Sequence, residues 1–254
     1  MMILVSILAP WISPHDILEQ DVFHRFTPPE RSHLLGTDAF GRDILSRMLW
    51  GLRISLIIGF FSTLSGMIVG TGLGMVAGYT GGKVEAVVMR AMDILMSFPG
   101  EVLGVIIMVS LGAGLPNVMI AIAILLTPRY ARLAYASTLS LKERDYISAA
   151  RAIGLTDLRI ITRHILPNIF GELLVMSTLW MGTAIRLEAN LSFLGLGVPP
   201  PMPTLGNMVR AGVNRLALAP WISVFPGLAI MIIILGLSTL GDGLRDITDP
   251  KLHV

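Results

Sequence analysis

Apolar runs of membrane-crossing length recur along this chain: Leu52 to Tyr79, Ala86 to Leu111, Pro116 to Tyr135, Ile169 to Ala189 and Val224 to Leu240. A helix needs about 20 such residues to cross a hydrocarbon core about 30 Å thick. Each run is too long and too continuously apolar for the weakly alternating strands of an outer-membrane barrel, so the spans are expected to be helices. Composition agrees, since 54% of the 254 residues are hydrophobic and only 14% are charged, against about 25% charged in soluble domains. The reading is an all-α, polytopic membrane protein with five full transmembrane helices. A formal charge of +2 with dispersed basic residues leaves no electrostatic footprint for nucleic acid. The absence of cysteine excludes disulfides and thiolate chemistry.

Met1 to Ile12 is apolar but only about 18 Å long as a helix, too short to cross alone. A signal peptide would need a basic first region and a small-residue cleavage pattern, so the segment reads as the end of a truncated first span. Residues 1–50 then comprise that segment and an outer loop, 51–247 the membrane domain and 248–254 a cytoplasmic tail. Within the loop, Thr37 or Asp38 is expected to cap a helix running through Ile44, Leu45 and Met48. Gly66, Gly70, Gly74 and Gly78 fall at every fourth position of the first full span. Three overlapping GxxxG units of this kind put a glycine stripe on one face for close helix packing.

The second span carries Arg90, Asp93 and Glu101, with Pro99-Gly100 between the two acids. Ionisable groups inside a membrane are costly and usually face a bundle interior or a cavity, so Asp93 and Glu101 are candidates for a translocation pathway. Arg90 and Asp93, three residues apart, are expected to pair. Arg186 and Glu188 in the fourth span extend the pathway candidates, and they are also placed to pair with each other. Residues 190–221, rich in proline, read as a long outer linker.

Between the third and fourth spans lies a polar island, residues 139–168, with a net excess of two basic groups. Together with Arg129 and Arg132 it is the densest Lys/Arg region, and by the positive-inside rule it is cytoplasmic. Asp145-Tyr-Ile-Ser-Ala-Ala-Arg-Ala-Ile-Gly154 is expected to be a short helix stopped by Gly154. Ser148, Ala149, Ala150 and Ala152 keep parts of it slim enough for another protein to approach, while Arg144, Asp145 and Arg151 supply charge. An ordinary loop helix lying on its own membrane domain fits the same spacing.

No G-x-x-x-x-G-K-[ST] loop is present, so the chain has no phosphate cradle of its own. His15, His24, His33, His164 and His253 show no metal-ligand spacing, and no serine sits in a G-x-S-x-G elbow. No enzymatic activity, metal or cofactor is expected in this chain.

Ser148-Ala-Ala-Arg-Ala-Ile-Gly154 followed by Ile165-Leu-Pro167 resembles the EAA coupling loop of permease subunits in bacterial ABC importers. Further stretches are similar to one branch, the second permease of dipeptide, oligopeptide and nickel importers. They include Leu35-Gly-Thr-Asp38, Gly41-Arg-Asp43, Arg163-His-Ile-Leu-Pro-Asn168, Leu191-Ser-Phe-Leu-Gly-Leu-Gly197, Gly241-Asp-Gly-Leu-Arg-Asp246 and Asp249-Pro250. The resemblance implies a bundle of the type I importer permease kind in the bacterial inner membrane. It implies as partners a homologous second permease, two ATPase subunits that hold ATP and Mg, and an external substrate-binding protein. The coupling helix would seat in the ATPase through Ala149, Ala150 and Gly154, with Leu166-Pro167 as a rigid joint to the next span. Ser148 stands where the family usually has glutamate, Leu205 where tryptophan is frequent, and Arg186 where an apolar residue is usual. Short peptides are the implied cargo, with nickel complexes, glutathione and opine-like compounds carried by relatives. From the residues alone, a secondary transporter and a non-transporting membrane scaffold remain open.

Overall fold

The computed structural model describes residues 2–248. Asp249-Pro250 and the rest of the expected tail after Thr248 lie outside the described residues. Ten α-helices run along the described residues with no strand among them: α1 (Met2–Ile12), α2 (Ile44–Thr80), α3 (Gly82–Met96), α4 (Gly100–Leu111), α5 (Leu115–Lys142), α6 (Asp145–Ala152), α7 (Asp157–Ile160), α8 (Leu166–Phe193), α9 (Leu205–Val213) and α10 (Trp221–Thr248).

Among the described residues, four helices are long and apolar enough to cross a membrane: α2, α5, the continuous stretch from α7 through α8, and α10. The second expected span is not one straight helix. It breaks between α3 and α4, which meet at 95°, because Pro99 lacks an amide donor and disfavours helical geometry in the residue before it. The spans also run longer than their apolar cores. α2 starts at Ile44 rather than Leu52, and α5 continues to Lys142, so Arg129 and Arg132 lie within the helix rather than at its end. α9 occupies part of what the prolines suggested was an open linker. Its start is a capping box in which Thr204 and Asn207 satisfy each other's backbone amides.

The chain divides into two units. The first takes the residues up to Phe61, Gly104–Ala121 and Gly182–Gly236. Its core gathers Ile44, Met208, Ala219 and Ile222, with Phe26, Leu35, Met48 and Trp221 packed against them. The segment between α1 and α2 is tied down by buried polar groups. Asp43, not Thr37 or Asp38, caps α2: its Oδ2 accepts from the Ser46 amide at 2.8 Å and the Ser46 hydroxyl at 2.7 Å. Asp38 is spent on the loop itself, accepting from the Phe40 and Arg42 amides and pairing with Arg42 at 2.7 Å. The Trp221 indole donates to the Thr37 carbonyl at 3.2 Å.

The second unit takes Ser62–Leu103, Ile122–Met181 and the described residues from Leu237. The glycine stripe of α2 lies against α5. A Cβ on Gly74 would stand 2.2 Å from the Ala131 carbonyl oxygen, and one on Gly70 would stand 2.4 Å from that of Thr127. Gly66 faces Ala123 and Leu126, while Gly78 faces Tyr135 and Thr138. Contacts advance together along both sequences, so α2 and α5 pack in parallel. Tyr130 of α5 then reaches α8, bonding the Ser177 hydroxyl at 2.8 Å and meeting Trp180 edge to face.

Candidate functional site

In the second unit, α6 is a two-sided helix. Ile147 and Ala150 are buried, while Asp145, Ser148, Ala149, Arg151 and Ala152 are exposed. Ala150, expected among the residues offered to a partner, instead faces its own chain; the slim outward face consists of Ser148, Ala149 and Ala152. Arg144 is the N-cap, and its carbonyl accepts from the Ile147 and Ser148 amides.

The end of α6 follows from one residue. Gly154 has φ +82°, a left-handed conformation that glycine adopts without a Cβ clash. Its amide bonds the Arg151 carbonyl and the Leu155 amide bonds that of Ala150, the two bonds of a Schellman stop. The chain turns sharply there and leaves Ile153 and Leu158, 78% and 73% exposed, on the surface. It then re-enters a helix through α7 and a π-helical turn, Ile161–Ile165. Leu166 and Pro167 open α8 directly behind that turn. The widened ring spares the helix the clash that proline would otherwise cause, so this joint is continuous helix.

What holds the loop was not apparent in the sequence. Tyr79, at the end of α2, donates its hydroxyl to Asp157 at 3.0 Å and accepts from Arg151 Nε at 3.1 Å. The Arg151 guanidinium also lies over the Tyr79 ring, 4.9 Å from its centroid, a favourable cation–π placement. One side chain thus joins both ends of the turn to the helix that carries the glycine stripe. The only local hint was the aromatic residue after Gly78. Around it, Tyr135 bonds Glu85, and Ser137 bonds Glu172 at 2.7 Å.

The pathway candidates separate by environment. Asp93 pairs with Arg132 of α5 at 2.6 Å, not with Arg90 on its own helix, because a neighbouring helix brings a guanidinium closer than the local turn does. Glu101 is exposed in the first turn of α4. In the first unit, Arg186 is exposed and Glu188 fully buried. Two residues apart on α8, they point to different faces. Glu188 takes hydroxyl partners instead, Ser55 at 2.9 Å and Ser192 at 2.7 Å, and Thr204 bonds Ser192 in turn at 3.3 Å. Nearby in this unit is a cavity of about 670 Å³ lined by residues that include Arg42, Arg47, Ser192, Pro199 to Met202, Asn207 and Arg210. Leu205, at the start of α9, is fully buried.

Residues 70–254 match the family described as binding-protein-dependent transport system inner membrane component. The dipeptide transport system permease protein DppC of Alkalihalophilus pseudofirmus is 43% identical over 250 residues, covering 98% of this chain and 82% of that protein. The glutathione transport system permease protein GsiD of Pectobacterium atrosepticum is 42% identical over 253 residues, covering 99% of this chain and 84% of that protein. Among solved structures, an inward-facing form of the MetNI methionine ABC transporter matches with a TM-score of 0.68 at 20% identity, over 81% of this chain and 98% of that chain. That likeness speaks for the fold alone. The apolar helices, the small-faced loop helix and these matches agree, and the chain belongs to the binding-protein-dependent transport system inner membrane components as a membrane-embedded permease subunit.

Proposed function

We propose that this permease subunit serves an ATP-driven importer of short peptides and that α6 is its contact with the ATPases. The observation that carries the reading is the construction of α6: a slim, exposed face of Ser148, Ala149 and Ala152, ended by a Gly154 stop and fastened to α2 through Tyr79. A loop helix resting on its own membrane domain has no need for that open face. ATP-driven closure of two ATPase subunits would push α6, and Tyr79 would pass the displacement to α2 and the helix packed on it. Arg144, Asp145 and Arg151 form the polar rim, and Leu166 and Pro167 connect the loop to α8. A homologous second permease completes the pathway, with an external binding protein delivering cargo. Asp93, Glu101 and Arg186 are the exposed ionisable candidates along it, and the buried Glu188 supports α8 from within.

Seven basic residues from Arg129 to Arg163 put α6 on the cytoplasmic side of the inner membrane. The parallel register of α2 and α5 supports five crossings, because two parallel neighbours need a return passage and residues 81–114 are the only chain between them. In this reading the broken pair α3 and α4 makes that passage. Peptide-type cargo is supported by relatives named for dipeptide and glutathione transport.

The test is purification of the tagged chain from native membranes in mild detergent, beside Gly154→Asp, with co-purifying proteins identified by mass spectrometry. A second permease and ATPase subunits are expected with the parent, and the ATPases are expected to be lost from the variant. Recovery of the chain alone, or ATPases retained at parental level by Gly154→Asp, would overturn the proposed contact.

A further inference from the structure

Three potential metal donors, separated in sequence by 18 and 10 residues and without motif spacing, meet where the segment after α1 returns to the start of α2. His15, His33 and Asp43 each offer one ligand atom, and these atoms lie within 4.8 Å of one another. His33 Nδ1 stands 3.0 Å and His15 Nδ1 3.7 Å from Asp43 Oδ1. We propose that these residues form a binding site for a divalent transition-metal ion of the zinc type, which clips the outer segment to α2.

The geometry is close to what such an ion requires. Nitrogen and oxygen donors held about 2.0–2.1 Å from a tetrahedral metal lie roughly 3.3–3.4 Å from one another. The two nitrogen-to-oxygen distances bracket that value, and the third separation, no more than 4.8 Å, requires the imidazoles to turn toward one another on binding. Two imidazoles and one carboxylate form a borderline ligand set that suits zinc, nickel, cobalt or copper, and not the all-oxygen shells of magnesium and calcium.

Two independent observations favour an ion over a plain hydrogen-bonded cluster. The first is His15 Nδ1, which is buried and has no hydrogen-bond partner. A buried polar atom left in that state is costly, and a metal would give it a bond. The second is the support around the donors. Ser46 holds Asp43 Oδ2 through both its amide and its hydroxyl, which turns Oδ1 toward the imidazoles. The Ser46 hydroxyl also accepts from the His15 backbone amide at 3.1 Å. The same serine thus orients one ligand and positions the backbone of another, as outer-shell groups do in metal sites. The rings of His15 and His33 lie 4.8 Å apart, tilted by 32°, which keeps both nitrogens on the carboxylate side. The positive end of α2 opposes a cation here, and the Asp43 charge offsets it. Binding at Nδ1 uses that nitrogen's lone pair, so each ring ligates with its proton on Nε2: a neutral ring protonated at Nδ1 exchanges that proton for one on Nε2 with no net release.

The experiment uses the full chain with its co-purifying subunits, isolated by a tag without histidine and stripped with a chelator. Cobalt(II) is added to read its visible d–d absorption, and zinc is then titrated against a chromophoric chelator. The expected result is one low-coordinate cobalt site per chain, displaced by zinc. His15→Ala, which removes a donor atom that makes no hydrogen bond, and His33→Ala should each weaken zinc binding by more than about 100-fold. Ser46→Ala should weaken it about 10-fold, as outer-shell changes do, and His24→Ala should bind as the parent does. If His15→Ala does not accumulate, His15→Phe keeps a ring against His33 without its nitrogens and carries the same expectation. Parental zinc affinity in the His15 and His33 variants, or no cobalt spectrum in the parent, would overturn the site and leave a hydrogen-bonded clasp.

Discussion

The two ends of α2 are fastened in opposite ways. At its start, the segment before Ile44 is held by groups taken out of water: Thr37, Asp38, Asp43, Ser46 and Arg47 are all buried, and most hold each other or backbone atoms. At its end, a loop whose polar residues are mostly exposed rests on the buried Ile147, Ala150 and Ile160 and is tied to α2 through the buried Tyr79, whose hydroxyl meets Asp157 and Arg151. Buried polar networks fix one arrangement, because any alternative strands a desolvated group. Asp157 and Arg151 are themselves exposed, so water can take the place of the tyrosine on their side at little cost. The first construction suits a surface that keeps its shape, and the second suits one that must yield to a partner.

The sharpest way to break this contrast is Asp43→Ala. It removes the cap of α2 and leaves the Ser46 donors and His33 without their acceptor, a loss of about 2–4 kcal/mol. The detergent-solubilised protein should show a clearly lower melting temperature and reduced abundance in the membrane. An unchanged melting temperature would show that the start of α2 is held no more firmly than its end. Gly154→Asp should act the other way round. The strain of a left-handed non-glycine residue is about 1 kcal/mol, and no heavy atom lies within 4 Å of a Cβ there. Abundance should therefore hold while cargo uptake is abolished, and normal uptake would remove α6 from the mechanism.

Tyr79→Phe refines the comparison. It deletes two hydrogen bonds of about 1 kcal/mol each but keeps the ring under Arg151. The ATPases should still co-purify, while uptake and cargo-stimulated ATP hydrolysis fall several-fold; a phenylalanine variant with parental coupling would mean that Tyr79 only packs. The smallest effect is expected at the exposed pair Asp21 and His24, joined at 2.7 Å. The hydrogen bond from the imidazole lowers the Asp21 pKa and raises that of His24. The raised histidine contributes stability below its ordinary value that is lost as pH rises through the raised one. The lowered aspartate contributes above its ordinary value and loses that contribution as pH falls through the depressed one. The pair is thus effective between the two shifted values. Asp21→Asn should move the His24 titration down in NMR while leaving uptake unchanged.

The legibility of these features depends on how local their causes are. Gly154 could be read as a helix stop because a left-handed residue is a requirement of the backbone at that point. The glycine stripe could be read as a packing face because a period of four is a property of one helix. Asp93 was assigned to Arg90 because sequence offers only neighbours on the same helix, whereas Arg132 comes from α5. The cap at Asp43 was placed five or six residues too early, since Thr37 and Asp38 are equally good capping types and only the fold assigns Asp38 to the loop. α9 was hidden because its short apolar stretch sits among prolines, although Thr204 and Asn207 spelled a variant of the capping box. His15, His33 and Asp43 have no spacing that a motif could register; only the return of the loop brings them together.

The parallel seam between α2 and α5 has a mechanical meaning. Turning α2 through the screw step of a single residue would bring Thr71 and Met75, or Val69 and Leu73 in the other sense, to the places where even a Cβ on Gly70 or Gly74 would stand 2.4 Å or 2.2 Å from backbone oxygen. The permitted stops are four residues apart, about 6 Å of travel. The seam therefore works as a detent, resisting any change of register between α2 and α5. A bend is already built in elsewhere, at Pro99, where α3 and α4 meet at 95°.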